Sequence, residues 1–101
     1  MNTTDLANSS GRASEFLKSL ANAQRLRILC LIMEGERPVG EIAEAIGANQ
    51  SSVSQNLALM RREGLVVPRR SGQTIYYRLA DKKLIKMFRL LSDMFCQPDK
   101  D

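Results

Sequence analysis

Two kinds of residue in this sequence are capable of chemistry. The first are its two cysteines, Cys30 and Cys96, 66 positions apart. A thiol can be oxidised, can accept sulfur, or can bind a soft metal. The second is a polar and basic stretch between Gln50 and Gln73, holding Ser51, Ser52, Ser54, Gln55, Arg61, Arg62, Arg69 and Arg70. Serine and glutamine can hydrogen-bond to base edges, and arginine to base edges or phosphate.

What is missing narrows the choice. There is no His, the usual general base near neutral pH and the commonest metal ligand. There is no Trp, and only three Phe and two Tyr. Serine-hydrolase triads, His-based zinc sites and aromatic platforms for single-stranded bases are thereby disfavoured. No Cys-x-x-Cys pair, cofactor loop or substrate cleft is legible, so no catalytic residue, cofactor or metal ligand is assigned.

Charge points the same way. The net charge is +4, with a pI near 9.4. Residues 61–83 hold seven cations (Arg61, Arg62, Arg69, Arg70, Arg78, Lys82, Lys83) against Glu63 and Asp81, a local +5, while the remainder sums to −1. A basic patch confined to one segment suggests a polyanionic partner.

The elements that must position these groups follow from periodicity and caps. At 101 residues and 11.3 kDa, one domain is expected. The longest apolar run, Ile28–Met33, is six residues. A membrane-spanning helix needs about 20, so no membrane segment is expected. The N-terminus lacks a signal-peptide pattern, and a cytoplasmic location is expected. Residues 1–10 are polar and expected to fray, residues 11–97 to form the domain, and residues 98–101 a tail.

Ala13, Phe16, Leu17 and Leu20 predict a first helix, from roughly Asp5 or Gly11 to Ala21. Asn22 caps a second, Ala23–Glu34, apolar nearly all round and so expected at the domain centre. Pro38 opens a third, Val39–Ile46, stopped by Gly47; Asn49 caps a fourth, running to Glu63. Leu65–Arg70 and Thr74–Leu79 are strand-like, joined by a Ser71-Gly72-Gln73 turn, with Pro68 assigning the first to an edge. Asp81 caps a last helix with Leu84, Phe88, Leu91 and Phe95 in one stripe. The fold class is mainly α with a β-hairpin, in the order α-α-α-α-β-β-α.

The third and fourth helices, joined through Gly47-Ala48-Asn49, form a helix-turn-helix. At 100° per residue, Val53, Leu57 and Met60 face the core, while Ser51, Gln55, Ala58 and Arg62 face outward. A basic hairpin beside such a reading helix makes a winged helix-turn-helix. The DNA-facing set is therefore Gln50, Ser51, Ser52, Ser54, Gln55, Arg61, Arg62, Arg69, Arg70 and Gln73, and the expected partner is double-stranded operator DNA.

Ser54-Gln55-Asn56-Leu57 followed by Arg61-Arg62-Glu63-Gly64-Leu65-Val66 resembles the recognition-helix signature of ArsR-type repressors. Leu20-Ala21-Asn22-Ala23-Gln24-Arg25-Leu26-Arg27-Ile28-Leu29 resembles that family's second-helix entry. The resemblance spans about Ala13 to Cys96, with Asn56 where the family usually has His. It implies a homodimer joined through the first and last helices and repression by operator binding. The Cys-x-Cys and Asp/His metal sites of many members are missing. The placement of Cys30 and Cys96 is similar to that in the persulfide-sensing SqrR/BigR-type branch and its HlyU-like relative. That implies a small-molecule inducer, a persulfide or polysulfide, which links Cys30 to Cys96 within one protomer by a di- or polysulfide bridge. Arg27, one turn before Cys30, favours Cys30 as the attacking thiol.

For each cysteine the plain alternative is packing. The alternatives for the whole chain are an input-free or generally redox-responsive DNA-binding regulator, including an anti-repressor, a metal sensor using both cysteines and carboxylates, and a dithiol enzyme.

Overall fold

A computed structural model describes residues 3–95. Helix α1 spans Thr3–Asn8, α2 Ser10–Leu20 and α3 Ala23–Ile32; a short strand β1, Arg37–Pro38, precedes α4, Val39–Ile46. Helix α5 spans Gln50–Arg62, the hairpin strands are β2, Val66–Ser71, and β3, Thr74–Leu79, and α6 runs Lys82–Phe95. This is a winged helix-turn-helix, α4 and α5 forming the helix pair and β2–β3 the wing.

The caps lie where side-chain chemistry puts them. Asn22 accepts a hydrogen bond from the Arg25 N–H at 3.1 Å, Asn49 one from the Ser52 N–H at 3.1 Å, and Asp81 one from the Lys83 N–H at 2.9 Å. Gly47 ends α4 in the left-handed region, φ 67°, and the following Ala48 N–H reaches back to the Ala43 carbonyl at 3.0 Å. The wing turns through Gly72, φ 63°, between Ser71 and Thr74, which are paired.

Three differences from the sequence reading have physical reasons. Residues 3–8, expected to fray, are helical, and Ser9 joins α1 to α2 because its N–H bonds to the Asp5 carbonyl and its carbonyl accepts from Ala13. The sheet has a third strand: β1 pairs antiparallel with β3, Arg37 opposite Tyr77 and Pro38 opposite Tyr76, giving the order β1-β3-β2. Two residues carry no alternation, so this strand had no periodic signature. Third, α3 ends at Ile32 rather than Glu34, and only one side of it is central. Cys96 and the expected tail at 98–101 lie outside the described residues.

One apolar core joins every layer. Ile28, Leu29 and Ile32 from α3 meet Ile42 and Ala43 from α4, and Val53, Leu57 and Met60 from α5. Leu65, Val66, Tyr77 and Leu79 close it from the sheet side, with Leu84 and Phe88 from α6 and Leu20 from α2. No polar or charged residue is buried among the described residues. The core therefore fixes α5 against the domain by its apolar side and leaves the opposite side in solvent. No helix among the described residues is long and apolar enough to cross a membrane.

Candidate nucleic-acid interface

The reading helix shows the two sides its sequence requires. Val53, Leu57 and Met60 are fully buried. Gln50, Ser51, Ser54, Gln55, Ala58, Arg61 and Arg62 are exposed. Gln50 and Ser54 line a cleft with Gln73 and Thr74 of the wing and with Gly40 and Glu41 of α4. Three residues singled out in sequence, separated by up to 23 positions, thus converge at one junction between helix and wing.

Ser52 departs from its neighbours. It is half-buried, and its hydroxyl donates to the Gln24 side-chain oxygen at 3.1 Å. Its hydrogen bond is spent on α3, so it does not belong with the outward set. Asn56 also turns inward: its amide nitrogen donates to Gln24, and its oxygen accepts from the Arg25 Nε at 3.4 Å. Arg25 in turn donates to the Ser19 carbonyl at 2.7 Å and to Glu63 at 3.0 Å. This polar cluster was not singled out in the sequence; its partners on α3 and α5 are about thirty positions apart.

The two wing arginines differ. Arg70 is exposed, and no ion pair engages it among the described residues. Arg69 holds the Glu36 carboxylate through three hydrogen bonds of 2.7 to 3.0 Å. It also lies 4.7 Å from the ring centroid of Tyr76, the residue opposite it on β3. The Arg69 guanidinium holds the Glu36 carboxyl below its ordinary range, and Glu36 raises the Arg69 value further. Equal roles for the two arginines were expected from sequence. Glu36 neutralises one of them, so Arg69 fastens the wing to the approach of β1, whereas Arg70 keeps its charge for solvent or a ligand. Tyr77 packs in the core and Tyr76 is half-buried under Arg69.

Cys30 is exposed, not central. With a buried side formed by Ile28, Leu29 and Ile32, α3 turns Leu26, Cys30 and Met33 toward a groove of about 840 Å³. Across that groove stand Phe88, Leu91, Ser92 and Phe95 of α6, and Arg27 lies at its edge. The groove is mainly apolar. Among the described residues, no three His, Cys, Asp or Glu side chains cluster closely enough to hold a metal ion.

Comparisons with known proteins follow the same geometry. The model of the family described as "Bacterial regulatory protein, arsR family" matches residues 22–67, which contain α3, α4 and α5. The transcriptional activator HlyU of Vibrio cholerae is 38% identical over 100 residues, covering 99% of this chain and 93% of the relative. The structure of the transcriptional repressor BigR from Xylella fastidiosa superposes with a TM-score of 0.88 at 34% identity, covering 95% of this chain and 98% of that one. The homodimeric winged helix-turn-helix DNA-binding domain Mb0332 of Mycobacterium bovis superposes with a TM-score of 0.76 at 36% identity, covering 94% and 88%.

Proposed function

The chain belongs to the ArsR family of bacterial transcriptional regulators, and from that premise we propose that it is a dimeric, operator-binding repressor released by reactive sulfur acting on Cys30 and Cys96. The observation that carries the DNA-binding half is the cleft in which Gln50 and Ser54 of α5 meet Gln73 of the wing. The exposed groups that α5 and the wing present around it are small, polar or cationic, and the one carboxylate lining it, Glu41, is paired with Arg37 at 2.9 Å. Ser51, Ser54 and Gln55 make base-edge contacts, and Arg61, Arg62 and Arg70 contact phosphate. BigR of Xylella fastidiosa, a structural relative, is a transcriptional repressor.

The sulfur half is supported by the exposure of Cys30 and by Phe95, the residue preceding Cys96, standing on the same groove. Exposure gives a persulfide access to Cys30, which a purely packing role would not require. The Cys30 thiolate attacks the sulfane sulfur of a persulfide RSSH, forming a Cys30 persulfide and releasing the thiol RSH. The Cys96 thiolate then attacks the Cys30 sulfur and expels hydrosulfide, closing a disulfide. Two protein thiols are oxidised, and the persulfide is reduced to thiol and hydrogen sulfide. Sulfane transfer from a second persulfide before closure leaves a longer polysulfide bridge. The bridge joins Cys30 of α3 to Cys96, the residue after Phe95, and alters how two reading helices are held together.

The test is DNA binding by wild type, Cys30→Ser and Cys96→Ser before and after an organic persulfide, with intact mass recorded in parallel. All three bind DNA when reduced, and only wild type releases it and gains a bridge. Release by either single variant overturns the two-cysteine switch. The HlyU relative is named a transcriptional activator, and the second reading is that occupancy raises transcription. Transcription from the bound promoter with purified polymerase separates the two: a repressor lowers the transcript without any second protein present.

A further inference from the structure

We propose that Arg25 is the positioning residue of the reading helix: through Asn56 and Glu63 it sets the rotation of α5, and with it the discrimination of operator from random DNA. The inference rests on α5 being the DNA-facing helix.

Val53, Leu57 and Met60 hold α5 to the core, but apolar contact is non-directional and leaves small rotations about the helix axis cheap. The directional contacts come from the first turn of α3. The Gln24 oxygen accepts from Ser52 at 3.1 Å and from Asn56. Arg25 donates from Nε to Asn56 at 3.4 Å and from Nη1 to Glu63 at 3.0 Å. Ser52, Asn56 and Glu63 are spaced i, i+4 and i+11, one stripe along the helix and its C-cap.

Each member of that stripe directly follows an outward-facing residue: Ser51 before Ser52, Gln55 before Asn56, Arg62 before Glu63. Fixing the azimuth of the inner stripe therefore fixes the azimuth of the outer one. The Arg25 side chain is only 14% exposed, so its bonds are weakly screened. Its Nη1 also holds the Ser19 carbonyl, in the last turn of α2, at 2.7 Å, where a helix-end acceptor lacks a helical partner. One guanidinium thus spans α2 and the middle and C-terminal end of the α5 stripe, while Gln24 holds its N-terminal end. A lysine keeps the charge but cannot hold several acceptors on one planar fork.

The test measures anisotropy with two fluorescent duplexes, one selected by the wild-type protein from a random pool and one of random sequence. Arg25→Lys is expected to lower affinity for the selected duplex about tenfold, the loss of one good base contact. Affinity for random DNA and its salt slope stay at wild-type values. Glu63→Ala, an exposed change that carries the test if Arg25→Lys fails to fold, shifts the ratio in the same direction. In a Gln55→Ala background the further loss of discrimination from Arg25→Lys is expected to shrink, because one of the contacts it positions is gone. A purely structural role lowers both affinities in parallel, and that outcome overturns the proposal, as does full additivity of Arg25→Lys with a Gln55→Ala variant that itself loses discrimination. If Gln55→Ala leaves discrimination intact while Arg25→Lys reduces it, the assignment of Gln55 as a base contact fails and the positioning role of Arg25 stands.

Discussion

Arg69 and Arg70 are adjacent in sequence and opposite in circumstance. Arg70 has a solvated charge, and Arg69 spends its charge on Glu36 and its flat face on Tyr76. Arg70→Ala is therefore expected to weaken all DNA sequences about equally and to reduce the log–log salt slope by about 0.9, the value of one phosphate contact. Arg69→Ala is expected to leave that slope nearly unchanged and to loosen the wing, read as faster amide exchange in β2. Base-specific loss from Arg70→Ala contradicts its phosphate role. The pair also has a pH signature. The Glu36 carboxyl titrates below its ordinary value of 4.5, mainly through its hydrogen bonds with Arg69. Because the folded value is the lower one, the stabilisation is complete above the ordinary glutamate range and is lost as pH falls through the depressed value. A side-chain NMR titration is expected to show Glu36 moving up in Arg69→Ala. An unchanged midpoint removes the pairing.

At the scale of elements, the turn between α4 and α5 is the clearest case of local chemistry deciding structure. Gly47 has φ 67°, and a Cβ added there meets no atom within 4 Å, so Gly47→Ala is penalised by backbone conformation alone. The expected cost is about 1 kcal/mol, a drop of about 4–8 °C in Tm for a domain of this size. Leu57→Ala, in the fully buried row of α5, is expected to cost about 2–5 kcal/mol. Thermal melts of both variants check the order. This turn, the caps at Asn22, Asn49 and Asp81, and the buried row of α5 were all legible in the sequence, because each depends on residues within one or two turns. What was not legible depends on distance. Strand β1 forms only because β3 offers it an edge. The Glu36–Arg69 pair and the Gln24–Asn56 contact each join residues more than thirty positions apart. The exposure of Cys30 was hidden because α3 is apolar nearly all round, so periodicity could not say which side meets the core.

For the whole molecule the decisive quantity is apolar surface left over after the core is built. Leu17 on α2 and Leu90, Met94 and Phe95 on α6 are each more than half exposed. Large side chains gain about 1.5–3 kcal/mol each on burial, a strong drive for α2 and α6 to find a partner. A second copy is the partner the proposed repressor requires. One reading helix spans too few base pairs to define a promoter, whereas two related by a dyad meet successive major grooves about 34 Å apart. The homodimeric Mb0332 domain has the same fold. The double variant Leu17→Glu, Leu90→Glu is therefore expected to sediment as a folded monomer at micromolar concentration. Its α5 face and wing are untouched, so random-DNA binding per protomer should persist while tight operator binding is lost. The proposed bridge acts on how two reading helices are held together, so the monomer's residual binding is expected not to respond to persulfide. A variant that stays dimeric, or a monomer that still binds operator at wild-type affinity, would remove α2 and α6 as the surface that couples the two reading heads.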